Sequence, residues 1–319
     1  MHSWNQPVLD SLRGRLERLP HAFLIHGMRG VGKLALAERI AQLLLCESAD
    51  EAAKPCGACP GCRWFLGGNH PDFRRLEPES LAQPSGEQTD EEQASSSGRR
   101  VKPSIEIKID QVRELADFLN VGSHRGRLRV ALVHPAEDMN VHAANALLKG
   151  LEEPPAAAVF LLVSHRPASL LPTIRSRCVA LPVPLPPREA ALQWLAEQGV
   201  KDAGRWLAYA GGAPLRAQEY AADADALERL IQAPGLVEDR EQLEPLAEAL
   251  QKIALDLAFS AFGLPGKYGT AATGGAARPE SARAWLAYAR QMGQDRLLCR
   301  HPINPKLFSA DLLARIPKG

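Results

Sequence analysis

Gly27-Met28-Arg29-Gly30-Val31-Gly32-Lys33 reads G-x-x-x-x-G-K, the spacing of a phosphate-binding loop. The glycines let backbone N–H groups turn inward around phosphate oxygens. The helix that follows adds the partial positive charge of its N-terminus, and Lys33 reaches the outer phosphates. A magnesium site is missing from the pattern. The position after the lysine calls for Ser or Thr and is Leu34. The carboxylate expected at the end of a buried strand is replaced by His134-Pro135, and Glu137 and Asp138 fall several residues further on, where a following helix is expected. ATP or ADP binding is therefore expected to be weak or absent, with no Mg²⁺ site, and hydrolysis by the chain alone absent or very slow.

Cys46, Cys56, Cys59 and Cys62 are spaced C-x₉-C-x₂-C-x₂-C. Overlapping C-x₂-C units bring several thiolates to one cation, and a fourth from a preceding helix end completes a tetrahedron. Pro55, Gly57, Pro60 and Gly61 supply the tight turns. Four thiolates leave no open position, so the expected Zn²⁺ is structural; a redox pair, unrelated thiols or an iron–sulfur cluster are the alternatives. Cys178 and Cys299 stand apart and read as buried apolar residues.

A third kind of chemistry rests on arginine. Ile174-Arg175-Ser176-Arg177 follows a strand, a turn and a short helix. Arg177, presented there, can reach a neighbouring subunit's γ-phosphate and stabilise transition-state charge with its planar cation; taken alone it reads as a salt-bridged surface arginine, and only the surrounding pattern favours the first role. Ser164, at a strand end, can touch a phosphate or a positioned water, or serve only as a strand-end hydroxyl. Arg216 follows Gly212-Ala213-Pro214-Leu215 at a helix start and can face a nucleotide or simply be solvated. Glu152 and Glu153 are adjacent on a helix and point apart, so no acid–base pair is assigned. Trp64, Trp194 and Trp206 are read as core.

The elements that must carry these groups follow from patterning. The chain has 319 residues, 45% of them hydrophobic and 24% charged, with formal net charge +1. That is the composition of a globular protein with no global field advertising nucleic acid or membrane. No apolar run approaches a membrane span, and the first residues lack a basic patch followed by an apolar core. A cytoplasmic location is expected. Apolar runs at 22–26, 129–133 and 159–163 read as buried parallel strands, and 105–109 alternates as a strand. Helices are expected from Lys33 to Leu45, after an Asp110 cap, and from Asn140 to Glu153, where Pro154-Pro155 stops the run. Residues from about Leu81 to Ser104 are rich in Ser, Gln, Glu and Gly and read as a flexible insertion. Leu181 to Pro187 reads as a stiff linker. Beyond it the chain reads as helical throughout, with helices at 188–198, 203–210 and 213–231 and a longer one carrying Leu246, Leu250, Ile253 and Leu257 on one face. The expected domains are an α/β unit over 1–184, a small helical one over 185–228 and an all-helical one over 229–319.

With these residues in hand, the chain resembles the delta-prime family of bacterial DNA polymerase III clamp-loader subunits, within the AAA+ superfamily. The resemblance is carried by His21 to Lys33, the four-cysteine module, Asn69-His70-Pro71-Asp72, and Asn145 to Lys149 with Leu151-Glu152-Glu153-Pro154-Pro155. It continues in Leu170-Leu171-Pro172-Thr173-Ile174-Arg175-Ser176-Arg177-Cys178 and, more weakly, in Asn304-Pro305. It implies an AAA+ core with a small helical lid and a C-terminal collar that oligomerises. It further implies a ring of five with gamma or tau subunits and one delta, serving to load the sliding clamp onto primed DNA within the polymerase holoenzyme. In such a ring this member does not hydrolyse ATP, and Arg177 acts on the site of the adjacent gamma or tau subunit. Gamma and tau share the cysteine module and the Ser-Arg-Cys motif but keep both magnesium ligands, which Leu34 and His134-Pro135 replace here. An autonomous phosphate-loop ATPase, a tau- or gamma-like ATPase subunit, and a zinc-dependent nucleic-acid module are the competing readings.

Overall fold

The computed structural model describes residues 1–14, 19–81, 103–121, 128–270, 281–299 and 301–317. Most of the predicted insertion, 82–102, lies outside the described residues. The chain forms two compact units, Met1–Leu185 and Pro186–Gly319.

The first unit is built on a five-stranded sheet in the order β2-β3-β4-β1-β5. The strands are β1 (Ala22–His26), β2 (Phe73–Leu76), β3 (Arg129–Val133), β4 (Ala158–Ser164) and β5 (Val179–Pro182), and every pairing is parallel. All residues of β3 and β4 are buried, as expected where helices cover both faces of a parallel sheet. Around the sheet lie α1 (Gln6–Arg13), α2 (Lys33–Leu45), α3 (Pro60–Leu66), α4 (Ile109–Asn120), α5 (Val141–Glu152) and α6 (Pro172–Arg177). Leu36 and Ile40 of α2 are fully buried, each worth about 1.5–3 kcal/mol of apolar transfer. Helices α4 and α5 contribute Val112, Leu115, Leu119, Leu147 and Leu151 to a core shared with Phe160 and Leu162.

Several elements depart from the sequence reading. Residues 105–109 make only an isolated bridge, Ile107 to Met139, and α4 already begins at Ile109. Lys108, not Asp110, is the N-cap, and its N–H donates to Gln111 Oε1 at 2.9 Å. Short polar stretches escape pattern reading, which explains β2: Phe-Arg-Arg-Leu carries no apolar run. It is seated by Asn69-His70-Pro71-Asp72. The Asp72 carbonyl accepts from Val130 N–H at 2.9 Å, and its buried carboxylate lies 3.4 Å from Arg129. Part of the presumed linker is instead β5, whose Leu181 and Pro182 stand opposite Ile25 and His26.

The second unit is helical: α7 (Arg188–Glu197), α8 (Ala203–Tyr209), α9 (Pro214–Ala222), α10 (Ala224–Gln232), α11 (Leu243–Ala261), α12 (Ala282–Leu298) and α13 (Pro305–Ala314). The single helix expected over 213–231 is broken at Asp223, which leaves helical geometry at φ −118°, ψ 38°. One core gathers Ala191, Leu195, Trp206, Leu207 and Leu227. Another gathers Leu246, Leu250, Tyr288, Met292 and Leu312. On α11, Leu246 and Leu250 are buried, while Ile253 and Leu257 are half-buried.

Candidate nucleotide site and metal centre

The phosphate loop joins β1 to α2, so its backbone sits at the C-terminal edge of the sheet, where ligands of open α/β sheets bind. Gly27, Gly30 and Gly32 all have positive φ. At Gly27 the requirement is steric as well, since a Cβ there would lie 2.4 Å from the Val183 carbonyl. Lys33 is 2% exposed, and its Nζ donates to the Gly27 carbonyl at 2.8 Å and the Met28 carbonyl at 2.7 Å. Burial draws its pKa down to about 8, against the opposing pull of Glu137. The N-terminal segment supports the same loop. Trp4 Nε1 donates to the Val31 carbonyl at 3.1 Å, and Asn5 Nδ2 to the Val31 and Gly32 carbonyls at 3.0 and 3.3 Å.

The neighbouring strand ends bring Ser164 and His134 to the same edge, with Ser164 opposite His26 in register. Ser164 is fully buried, and its Oγ accepts from Arg166 N–H at 3.1 Å, the local role of a strand-end hydroxyl. His134 follows β3 and meets His165 edge-on, ring centroids 5.4 Å apart. Burial, then the charge of Lys33, holds His134 down at about 4 and His165 at about 2. Both imidazoles are therefore neutral near pH 7. The residue at the usual carboxylate position offers no negative charge to a magnesium ion.

Glu137 lies too far along the chain for the usual carboxylate position, yet its side chain is 2% exposed and turns back to the sheet. Its Oε1 accepts from His165 N–H at 2.9 Å. It lies in a short 3₁₀ turn, Ala136–Asp138, rather than on the next helix. No local pattern reveals this, because the turn that redirects it is decided by packing.

Arg177 ends α6. Its Nη2 lies 2.7 Å from Glu152 Oε1, and its Nη1 donates to the Thr173 carbonyl at 3.0 Å. The side chain is 34% exposed. Cys178, beside it, packs against the core, and burial raises its thiol to about 11. Arg216, in the second unit, pairs with Glu219 at 2.6 Å and Glu248 at 3.2 Å and lies over the Tyr220 ring.

The cysteine module hangs from the other end of α2. Cys46 is the residue after Leu45, and Cys59 caps α3, on which Cys62 lies. Gly61 permits the approach of the two helices: a Cβ there would lie 2.6 Å from the Leu45 carbonyl. The four sulfurs lie within 4.8 Å of one another, with Cys46 Sγ 3.7 Å from Cys56 Sγ and 3.9 Å from Cys59 Sγ. A tetrahedral Zn²⁺ with Zn–S of about 2.3 Å requires S···S separations of about 3.8 Å. The residues fit that ion. Backbone N–H groups of Glu47, Cys56, Cys59 and Cys62 point at the sulfurs from 3.3 to 3.4 Å and would disperse thiolate charge. Trp64, expected in the core, is instead 38% exposed on α3, because this short helix packs mainly through Cys62 and Gly61.

Comparison with known proteins identifies the family. The family described as DNA polymerase III, delta subunit, matches residues 7–186. The DNA polymerase III subunit delta-prime of Pseudomonas aeruginosa is 39% identical over 269 residues, covering 82% of this chain and 75% of that protein. The delta-prime subunit of Escherichia coli is 34% identical over 199 residues, 62% of this chain and 53% of its own length. The tau subunit of Salmonella typhimurium is 35% identical over 174 residues, 54% of this chain but only 23% of that protein. The match is more extensive to delta-prime proteins than to tau, and the chain belongs to the delta-prime family of DNA polymerase III subunits.

Proposed function

We propose that this chain is the non-hydrolysing stator of a clamp loader, assembled with gamma or tau and delta subunits, which places the sliding clamp on primed DNA. One observation carries the reading: neither magnesium position offers an oxygen ligand. Leu34 follows the lysine, and a neutral His134 stands at the end of β3. A loop so altered still folds, because Lys33 satisfies its carbonyls from within. Nucleotide, when it binds, does so through backbone amides of Gly27, Gly30 and Gly32, through Lys33 and through Ser164. Arg216 belongs to the second unit, where it pairs with Glu219 and Glu248. The zinc ion is structural and holds Cys46, Cys56, Cys59 and Cys62 together. Residues 185–228 form the lid and 229–319 the collar.

In this assembly Arg177 acts in trans, its guanidinium meeting the γ-phosphate charge that develops in the adjacent gamma or tau site. The purified chain shows no ATPase, and adding it to gamma or tau and delta restores DNA-stimulated turnover. Arg177→Ala leaves assembly intact and slows the adjoining site by about 10³-fold or more. Magnesium-dependent turnover by the solitary chain, abolished by Lys33→Ala, would instead mark an autonomous ATPase.

A further inference from the structure

We propose that Glu152 is the positioning residue for the Arg177 guanidinium. The inference rests on the trans-acting role of Arg177 given above. Glu152 is the last residue of α5, where a carboxylate opposes the partial negative charge of the helix C-terminus. Its place is therefore not explained by the helix that carries it. Nor does fold stability account for it, since the pair is exposed, 49% for the glutamate and 34% for the arginine, and surface pairs add little. What the pair does accomplish is geometric. Arginine is a long side chain with costly rotamer freedom, and Arg177 sits on the last turn of a six-residue helix. Glu152 takes Nη2 at 2.7 Å, while the Thr173 carbonyl takes Nη1 at 3.0 Å. Two anchors, one on α5 and one on α6, hold the planar group in one orientation. The guanidinium has five N–H donors, so donors remain for a phosphate while both anchors persist.

The consequence is kinetic. Glu152 touches no reacting atom and acts through Arg177, so its loss lowers kcat and leaves KM for ATP unchanged. In the reconstituted assembly Glu152→Ala lowers kcat about three- to tenfold, the range set by the rotamer freedom returned to the arginine. Glu152→Gln, which keeps an acceptor oxygen, recovers part of that loss. In an Arg177→Ala background Glu152→Ala has no further effect. An equal loss in both backgrounds would show a merely structural role, and a rise in kcat would make the carboxylate a competitor of the phosphate; either result overturns the proposal. The two readings separate cleanly. Slow Arg177→Ala with normal Glu152→Ala removes Glu152 alone, whereas normal Arg177→Ala removes the trans-acting arginine and this inference with it. A measurement on the isolated chain stands apart from partners: nitrogen NMR of the Arg177 guanidinium shows slowed Nη rotation that Glu152→Ala releases. Rotation unchanged by the substitution counts against the pair.

Discussion

The two ends of one helix tell different stories. At its N-terminus α2 opens from a phosphate loop whose magnesium ligands are absent; at its C-terminus it delivers Cys46 to a thiolate set with nothing missing. The difference lies in what each end requires to stay folded. The loop closes on itself, since Lys33 caps the Gly27 and Met28 carbonyls and Trp4 and Asn5 reach those of Val31 and Gly32. Those hydrogen bonds come from the chain itself. The four sulfurs receive backbone N–H groups that would disperse thiolate charge without cancelling it, and their spacing, 3.7 to 3.9 Å about Cys46, fits a cation that would. One end is thus expected to tolerate chemical loss and the other is not.

Breaking the metal end is expected to produce the largest effect. Cys62→Ser lowers bound zinc from about one per chain to near zero and unfolds the module over 46–66, because structural zinc contributes about 10–16 kcal/mol of apparent binding energy. Elemental analysis with hydrogen exchange on that segment reads both; full protection in metal-free protein would erase the contrast between the two ends.

The nucleotide end responds to acid. His134 titrates near 4 in the folded chain against an ordinary 6.5, chiefly through burial. Between those values the unfolded chain takes up a proton that the folded chain refuses. Stability is therefore complete above pH 6.5 and declines toward pH 4, by up to about 3 kcal/mol for this group. Denaturant midpoints across that window should fall in the native chain and fall less in His134→Phe. Parallel profiles would mean that the imidazole is not buried at the sheet edge.

The smallest effect sharpens the comparison most. Lys33→Met should destabilise the ligand-free chain by about 1–3 kcal/mol, because two loop carbonyls lose their donor. Urea unfolding without nucleotide measures this directly. An unchanged midpoint would make Lys33 a ligand-binding group with no part in holding the loop.

Much of the site was legible because it is written in contiguous residues. The phosphate loop, the cysteine spacing and the Ser-Arg-Cys tripeptide need no tertiary information to recognise. Apolar runs likewise marked β1, β3 and β4, since burial on both faces leaves no polar residue inside them. The rest depended on non-local pairing. β2 is half polar by composition and becomes a strand through its pairing with β3 from Phe73 to Leu76, with the Asp72–Arg129 ion pair at its start. Ile105-Glu106-Ile107 alternates as a strand does but finds only Met139 to pair with. Trp64 looked like core and is exposed, because nothing in its neighbours announces how short α3 is.

The amino-acid sequence alone determined which chemistry is available. Leu34 and His134 remove magnesium ligands whatever the fold, and four cysteines at that spacing select a soft cation, because ligand type is a property of the side chain. Only the tertiary structure decided how the groups meet. Lys33 turns onto its own loop, Glu137 folds back to His165, and the guanidinium of Arg177 is held by Glu152 from another helix. Those contacts join residues distant in the chain or set by a local turn, and packing of the sheet and its helices, not residue type, brings them within hydrogen-bond reach.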